Sequence, residues 1–162
     1  MYQHILLAVA LQQWDEFSPH AVAAREAAVA LAHGSGAQLS VLSVYDYDYE
    51  TPEALSLPPE ELARYRDTQM VRMDERMATK MQAFLASVPT HEPPITPLLK
   101  VGDPRQLIVA TAEALGVDLL VIGAHSKRSF LDVLLGGTAT AVSRHAPCAV
   151  VMVQPGEKRP LA

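Results

Sequence analysis

The sequence has a single cysteine, Cys148, among 162 residues. One thiol excludes an internal disulfide, and no second cysteine or histidine cluster supplies the ligands of a structural zinc site. Lys and Arg total 13 against 18 Asp and Glu, which gives a net charge of -5. An acidic chain lacks the general attraction to phosphate backbones that supports nucleic-acid binding. We therefore expect a reducing, cytoplasmic location and no nucleic-acid partner.

Long hydrophobic runs are also missing at the N-terminus. The apolar run 5–10 has no preceding Lys or Arg and is too short for a signal-peptide core or for a membrane span of roughly 20 residues. Gly-x-x-x-x-Gly-Lys-Ser/Thr and Gly-x-Gly-x-x-Gly loops are both absent, so neither a P-loop NTPase nor a dinucleotide dehydrogenase is indicated. We expect no membrane insertion.

The composition is that of one folded domain. Apolar residues make up 49% of the chain and charged residues 19%, close to the average for soluble domains. We predict a single domain over 1–154, followed by a short C-terminal tail over 155–162.

Apolar runs and helical patterns alternate along the chain. The helical starts are marked by Ser18-Pro19 and Asp103-Pro104, because a capping side chain followed by proline suits a first helical turn. Met73, Met77 and Met81 recur at helical spacing and predict a core-facing stripe. The predicted strands cover 4–10, 37–45, 95–101, 118–123 and 148–153. The predicted helices cover 19–33, 59–88, 104–116 and a last segment from 136 or 137 to 145, and 46–59 is predicted to be a loop.

This alternation predicts an α/β fold, a five-stranded parallel sheet with helices on both faces. Pro93, Pro94 and Pro97 favour an edge position or a late start for the third strand. In such sheets ligands bind outside the carboxyl ends of the strands, where the strand order reverses. We expect the segments 9–13, 44–47 and 123–136 to meet there.

The segment 123–129 (GAHSKRS) is the most informative of these three. A glycine ends a buried strand, and small, hydroxyl and basic residues follow it. Backbone N–H groups and the start of the next helix favour an anion at such a place. The alternative is a solvated loop whose glycines only turn the chain.

The stretches ILLAVA, VGDP, DLLVIGAHS and LLGGTATAVSRHAPCAVVMV resemble the universal stress protein family, and the resemblance covers nearly the whole chain. The family's nucleotide-binding motif is Gly, two residues, Gly, nine residues, Gly and Ser or Thr. Here Gly123 and Gly136 match the motif, whereas Ser126 replaces the second glycine and Gly137 the hydroxyl residue, with Thr138 one place further. The resemblance implies a Rossmann-like, adenine nucleotide alpha hydrolase-like fold and a regulatory role in the stress response.

The resemblance also implies where a nucleotide binds. Phosphates would meet Gly123, Ser126, Gly136, Gly137 and Thr138, and the base would meet the backbone at Val44. His125 would contact phosphate or base, or is a solvated loop histidine. The aspartate that holds the ribose or the adenine in the family is replaced by Ala10, for which Asp15 is a candidate substitute. We therefore expect weakened binding of ATP or AMP, with or without magnesium; the alternative is a protein that acts only through protein contacts.

The last predicted strand, 149–153, is expected to lie at a sheet edge, and unprotected edges invite pairing with another chain. The resemblance suggests the same strand as the contact of a homodimer, beside a further, unidentified protein partner. No general base and no carboxylate pair for magnesium can be named in the site, so we expect no catalytic activity. Among the candidate functions, a slow ATP hydrolase or phosphotransferase is the least favoured.

Overall fold

A computed structural model describes residues 1–12, 16–47, 52–123 and 137–156. Its strands are β1 (His4–Ala8), β2 (Gln38–Tyr45), β3 (Thr96–Val101), β4 (Leu119–Gly123) and β5 (Ala149–Val153). Its helices are α1 (Pro19–Ser35), α2 (Pro52–Leu55), α3 (Pro59–Ala86), α4 (Pro104–Ala114) and α5 (Gly137–His145).

The five strands form one parallel sheet in the order β3-β2-β1-β4-β5. The predicted fold class is therefore confirmed. β3 lies at one edge, as its prolines indicate, and β5 lies at the other. The chain runs outward from β1 through β2 to β3 and then returns to β4 on the opposite side of β1. The order thus reverses between β1 and β4, and a ligand crevice belongs at their carboxyl ends.

Both faces of the sheet are buried. Ile5 and Leu7 of β1 pack in a core with α1 and α3, whereas Leu6 and Ala8 pack in a second core with α4 and α5. Successive side chains of a strand point to opposite faces. A strand covered on both sides must therefore be apolar at every position, which explains why this run shows no alternation.

The predicted helix starts are confirmed by their caps. The Ser18 side chain accepts a hydrogen bond from the Ala21 N–H at 3.1 Å, and the Asp103 carboxylate accepts one from the Arg105 N–H at 2.9 Å. A proline follows each cap at the first helical position, where its missing N–H leaves no bond unmade. These two signals fix where α1 and α4 leave the carboxyl edge of the sheet.

The methionine stripe of α3 lies against the sheet. Met77 is 0% exposed and Met81 is 3% exposed, while Met73 is half-buried. Near the end of the helix, the fully buried Phe84 ring meets Phe17 edge-on, with 5.0 Å between the ring centroids. The predicted core-facing stripe is confirmed at its C-terminal half, where α3 covers the sheet beside α1.

Several predicted boundaries differ from the observed ones by one or two residues, and one short helix was not predicted. β1 ends at Ala8 instead of residue 10, because its register with β2 ends at the pair Ala8 and Leu42. The segment expected to be a loop over 46–59 contains the four-residue helix α2, with Ala54 buried in it. One helical turn is too short to show a 3.6-residue period in the sequence.

No helix within the described ranges is long and apolar enough to cross a membrane.

Candidate functional site

The candidate site lies at the carboxyl edge, where three chain segments leave the sheet. Residues 9–12 follow β1, Asp46 and Tyr47 follow β2, and Gly123 ends β4. Helix α5 runs from the carboxyl end of β4 to the amino end of β5, so its first residues, Gly137 and Thr138, also lie at this edge. Parallel topology therefore brings the predicted segments together, as far as the structure describes them.

Gly123 has a packing reason to be glycine. A Cβ added there would lie 3.1 Å from the carbonyl oxygen of His20 and 3.3 Å from its Cβ. The nearest of these atoms belongs to the backbone in the first turn of α1 and cannot rotate away. Gly123 thus lets β4 approach α1 closely at the edge of the crevice, a role that neither the anion nor the turning interpretation identified.

Val44 turns its backbone toward the end of β1. The Val9 N–H donates to the Leu42 carbonyl at 2.9 Å, and the Gly102 N–H donates to the Tyr45 carbonyl at 2.9 Å on the β3 side. Backbone groups of alternate residues point to the same neighbouring strand. The N–H and C=O of Val44 therefore point to the β1 side, beyond the last β1–β2 pair. These are the main-chain groups that the predicted base-binding role of Val44 would use.

Gln12 joins the segments that follow β1 and β2. Its Nε2 donates to the Asp46 carbonyl at 2.6 Å, and its Oε1 accepts from the Asp46 N–H at 3.1 Å. Lys80 of α3 holds the same segment, because its Nζ donates to the Leu11 carbonyl at 2.8 Å. One carboxamide and one ammonium group thus fix residues 11 and 12 against both β2 and α3.

Two phenols share one carboxylate beside these contacts. The hydroxyl groups of Tyr45 and Tyr47 both donate to Oδ1 of Asp74, at 2.6 and 2.8 Å. The rings meet edge-on, with centroids 6.0 Å apart. Burial, followed by the Asp74 hydrogen bond, raises the pKa of the Tyr45 phenol well above its ordinary value of 10.0. The carboxylate ties the middle of α3 to the carboxyl end of β2.

This raised pKa predicts a loss of stability at alkaline pH. A group whose folded-state pKa is raised contributes stability that is fully present below its unfolded pKa, about 10 for Tyr, and is lost as the pH rises above it. Urea unfolding at about pH 8 and about pH 11 should therefore show a smaller fall in the free energy of unfolding for Tyr45→Phe than for the wild type. Tyr2→Phe, at an exposed side chain, is the control; an equal fall in all three proteins would contradict the prediction.

The structure describes only some of the remaining residues that were predicted for the site. Ala10 is exposed at the end of β1, Gly137 is exposed and Thr138 is half-buried in α5. His125, Ser126, Gly136 and Asp15 lie outside the described residues. Cys148 is partly buried, and burial raises the pKa of its thiol, as is typical of a cysteine that packs as a small hydrophobic residue.

Sequence reasoning missed Gln12, Lys80 and Asp74. Lys80 and Asp74 flank the apolar stripe of an amphipathic helix pattern, and charged residues of such a helix ordinarily face solvent. Their partners are 69 and 29 positions away in the chain. The only signal available was the position of Gln12 just after a buried strand. Among the described residues, no group of three or more His, Cys, Asp or Glu side chains forms a metal site.

Comparison with known proteins identifies the relatives of this chain. The model of the universal stress protein family matches residues 1–154. A universal stress protein of Thermus aquaticus is 30% identical over 155 residues, which cover 95% of this chain and 100% of the relative. The solved structure of universal stress protein UspA from Lactobacillus plantarum is 27% identical, with a TM-score of 0.60 over 93% of this chain and 98% of the other.

Two more distant structures were determined with an adenine nucleotide. One is a universal stress protein in complex with cAMP, 20% identical, with a TM-score of 0.58 over 96% of this chain and 99% of the other. The other is an Arabidopsis thaliana universal stress protein family member with AMP bound, 17% identical, with a TM-score of 0.54 over 95% and 92%. At these identities they share the fold with this chain.

Proposed function

The chain belongs to the universal stress protein family, and from this premise we propose that it is a cytoplasmic regulatory protein of the stress response that binds an adenine nucleotide weakly. The nucleotide is ATP or AMP, and the protein acts through binding and not through catalysis. The observation that carries the proposal is the backbone of Val44, which points past the end of β1 at the carboxyl edge of the sheet. Two proteins of the same fold have cAMP or AMP at a site of their own.

The described residues fit an adenine nucleotide in part. The Val44 N–H and C=O offer a donor and an acceptor to a base. The first turn of α5, with Gly137 and Thr138, presents main-chain N–H groups, and such groups at a helix N-terminus are of the kind that bind phosphate. Ala10 does not fit, because a methyl group accepts no hydrogen bond from a ribose hydroxyl. This combination supports binding that is weaker than in family members with the complete motif.

Mass spectrometry of the ligand that co-purifies with the native protein tests this function. We expect ATP or AMP in the supernatant after acid precipitation, in less than one equivalent because binding is weak. The same protein purified, dialysed and then titrated with ATP and AMP by calorimetry gives the affinity. Absence of adenine nucleotide from the extract together with no heat of binding would refute nucleotide binding.

A member that works only through protein contacts is the second candidate. It is favoured by Ala10, which supplies no ribose acceptor, and by the Gln12 carboxamide, which takes up the main-chain groups of Asp46. The titration above distinguishes the two candidates, because this one predicts no binding of either nucleotide.

We further propose a homodimer through β5, with a separate protein as the regulated partner. Among the residues that the structure describes, β5 pairs with β4 alone, and its Met152 side chain is 39% exposed. Unprotected edge strands pair readily with a second copy. Light scattering at micromolar concentration should give a dimer mass for the wild type and for Val71→Asp, at an exposed position of α3, and a monomer mass for Met152→Asp. A dimer that persists in Met152→Asp would argue against this contact.

A further inference from the structure

β2 runs further alongside β3 than alongside β1. Its pairing with β1 ends at Ala8 and Leu42, whereas its pairing with β3 continues to Tyr45 and Val101. Val44 lies in this extension, and its N–H and C=O point away from β3, past the last pair with β1. The direction of these two groups therefore depends on what fixes the extension of β2 from β3 and from the face of the sheet.

Asp74 of α3 holds the extension from the face of the sheet. Its Oδ1 accepts hydrogen bonds from the hydroxyl groups of Tyr45, at 2.6 Å, and of Tyr47, at 2.8 Å. Hydrogen bonds to a carboxylate are stronger than those between neutral groups. Residues two positions apart in an extended chain point to the same face, about 6.6 Å apart, and the two ring centroids are 6.0 Å apart. The shared oxygen thus favours an extended chain from Tyr45 to Tyr47.

The connection from Asp74 to Val44 is a single peptide group. The C=O of Val44 belongs to the same planar group as the N–H of Tyr45. Tyr45 is held at its carbonyl, which accepts from the Gly102 N–H at 2.9 Å, and at its buried phenol, which donates to Asp74. The Val44 side chain packs against the core on the opposite face of the sheet. Fixing Tyr45 from β3 and from α3 therefore fixes the direction of the Val44 carbonyl.

We propose that Asp74 is a positioning residue for the nucleobase: it holds the two phenols so that the main-chain groups of Val44 keep the direction in which they meet a base. The proposal rests on the proposed function, in which Val44 meets the base. Asp74 itself touches no ligand in this role. Its contribution is preorganisation, because an end of β2 that is already fixed does not have to be ordered when the nucleotide binds.

Calorimetric titration of the full chain with ATP tests the proposal. Asp74→Ala removes the shared acceptor and should bind ATP about 5-fold to 30-fold more weakly than the wild type, the factor that corresponds to ordering the backbone of one residue. The change in charge alone predicts the opposite result, because the loss of a carboxylate reduces the repulsion of ATP.

Two variants with the same change in charge are the controls. Asp74→Asn keeps an acceptor oxygen for the phenols and should bind ATP at least as tightly as the wild type. Glu75→Ala removes a carboxylate from the neighbouring exposed position of α3 and should not weaken binding. A loss of affinity in Asp74→Ala that Asp74→Asn restores is therefore due to the acceptor and not to the charge.

Amide hydrogen exchange of the unligated proteins reports where the chain has loosened. In Asp74→Ala, the Gly102 N–H, which donates to the Tyr45 carbonyl, should exchange faster than in the wild type. The Val9 N–H, which donates to the Leu42 carbonyl before the extension begins, should exchange as in the wild type. A general loss of stability would accelerate the exchange of both groups.

A second variant keeps the test independent of how Asp74→Ala folds. The double variant Tyr45→Phe, Tyr47→Phe retains both rings, removes both hydroxyl donors and should weaken ATP binding to a similar extent. If the wild type binds ATP and the folded variants bind it equally well, or if exchange at Gly102 and Val9 is accelerated equally, the proposal is overturned while nucleotide binding stands. If the wild type binds no ATP, the proposed function fails and this proposal fails with it.

Discussion

Met77→Ala is expected to lower the free energy of unfolding by about 2 to 5 kcal/mol. Met77 is 0% exposed and belongs to the core between the sheet and the pair α1 and α3. Truncation removes buried apolar atoms and leaves a cavity, because the neighbouring side chains can move only partly into the space. Urea unfolding at neutral pH, followed by circular dichroism, gives the difference.

The control for this prediction is Val71→Ala on the same helix. Val71 is 57% exposed, so its substitution removes little buried surface and should change the free energy of unfolding by less than about 0.5 kcal/mol. Alanine also favours the helix slightly over valine. A cost below about 0.5 kcal/mol for Met77→Ala would contradict the packing of α3 on the sheet.

The sequence predicts α3 well because its signal is local. Hydrophobic residues at three- and four-residue steps report the buried side of a helix directly, and the caps at Ser18 and Asp103 report helix starts in the same way. The order of elements then restricts the sheet to a few parallel topologies. These signals were sufficient for the fold class, the edge position of β3 and the meeting of the strand ends.

The contacts that shape the candidate site were not predictable in this way. Asp74 and Lys80 acquire their roles from partners on β2 and after β1, and such pairing depends on tertiary packing. The residue at which β1 ends likewise depends on how far β2 pairs with it. The ribose-binding position was interpreted from family resemblance, and Ala10 is exposed where that resemblance places an acceptor.

Gly123 shows how one residue carries two separate requirements. A glycine in a ligand-binding motif is ordinarily explained by the needs of the ligand. The nucleotide-binding motif of the family gives Gly123 that explanation. The contact with His20 adds a second requirement, since a side chain at this position would press on the backbone of α1. A glycine here is therefore expected even in a member that binds no nucleotide, and its presence does not decide between the two candidate functions.

Ala10→Asp is expected to tighten ATP binding by about 10-fold to 150-fold. Ala10 is exposed just beyond β1, beside the crevice between β1 and β4, so an added carboxylate enters no packed core. Hydrogen bonds that involve a charged group contribute about 1.5 to 3 kcal/mol, and about 1.4 kcal/mol corresponds to tenfold in affinity. A carboxylate only accepts hydrogen bonds, and both ribose hydroxyl groups are donors.

The charge added by this substitution needs its own control, because ATP is itself negatively charged. Ala63→Asp places the same carboxylate at an exposed position of α3 and should leave the affinity unchanged. Ala10→Asn supplies a neutral acceptor, and because neutral hydrogen bonds contribute about 0.5 to 1.5 kcal/mol, its affinity should lie between those of the wild type and Ala10→Asp. Calorimetric titration of all four proteins at one salt concentration ranks them. If Ala10→Asp binds no more tightly than Ala63→Asp, the ribose does not lie at the end of β1, and the position assigned to the nucleotide is wrong.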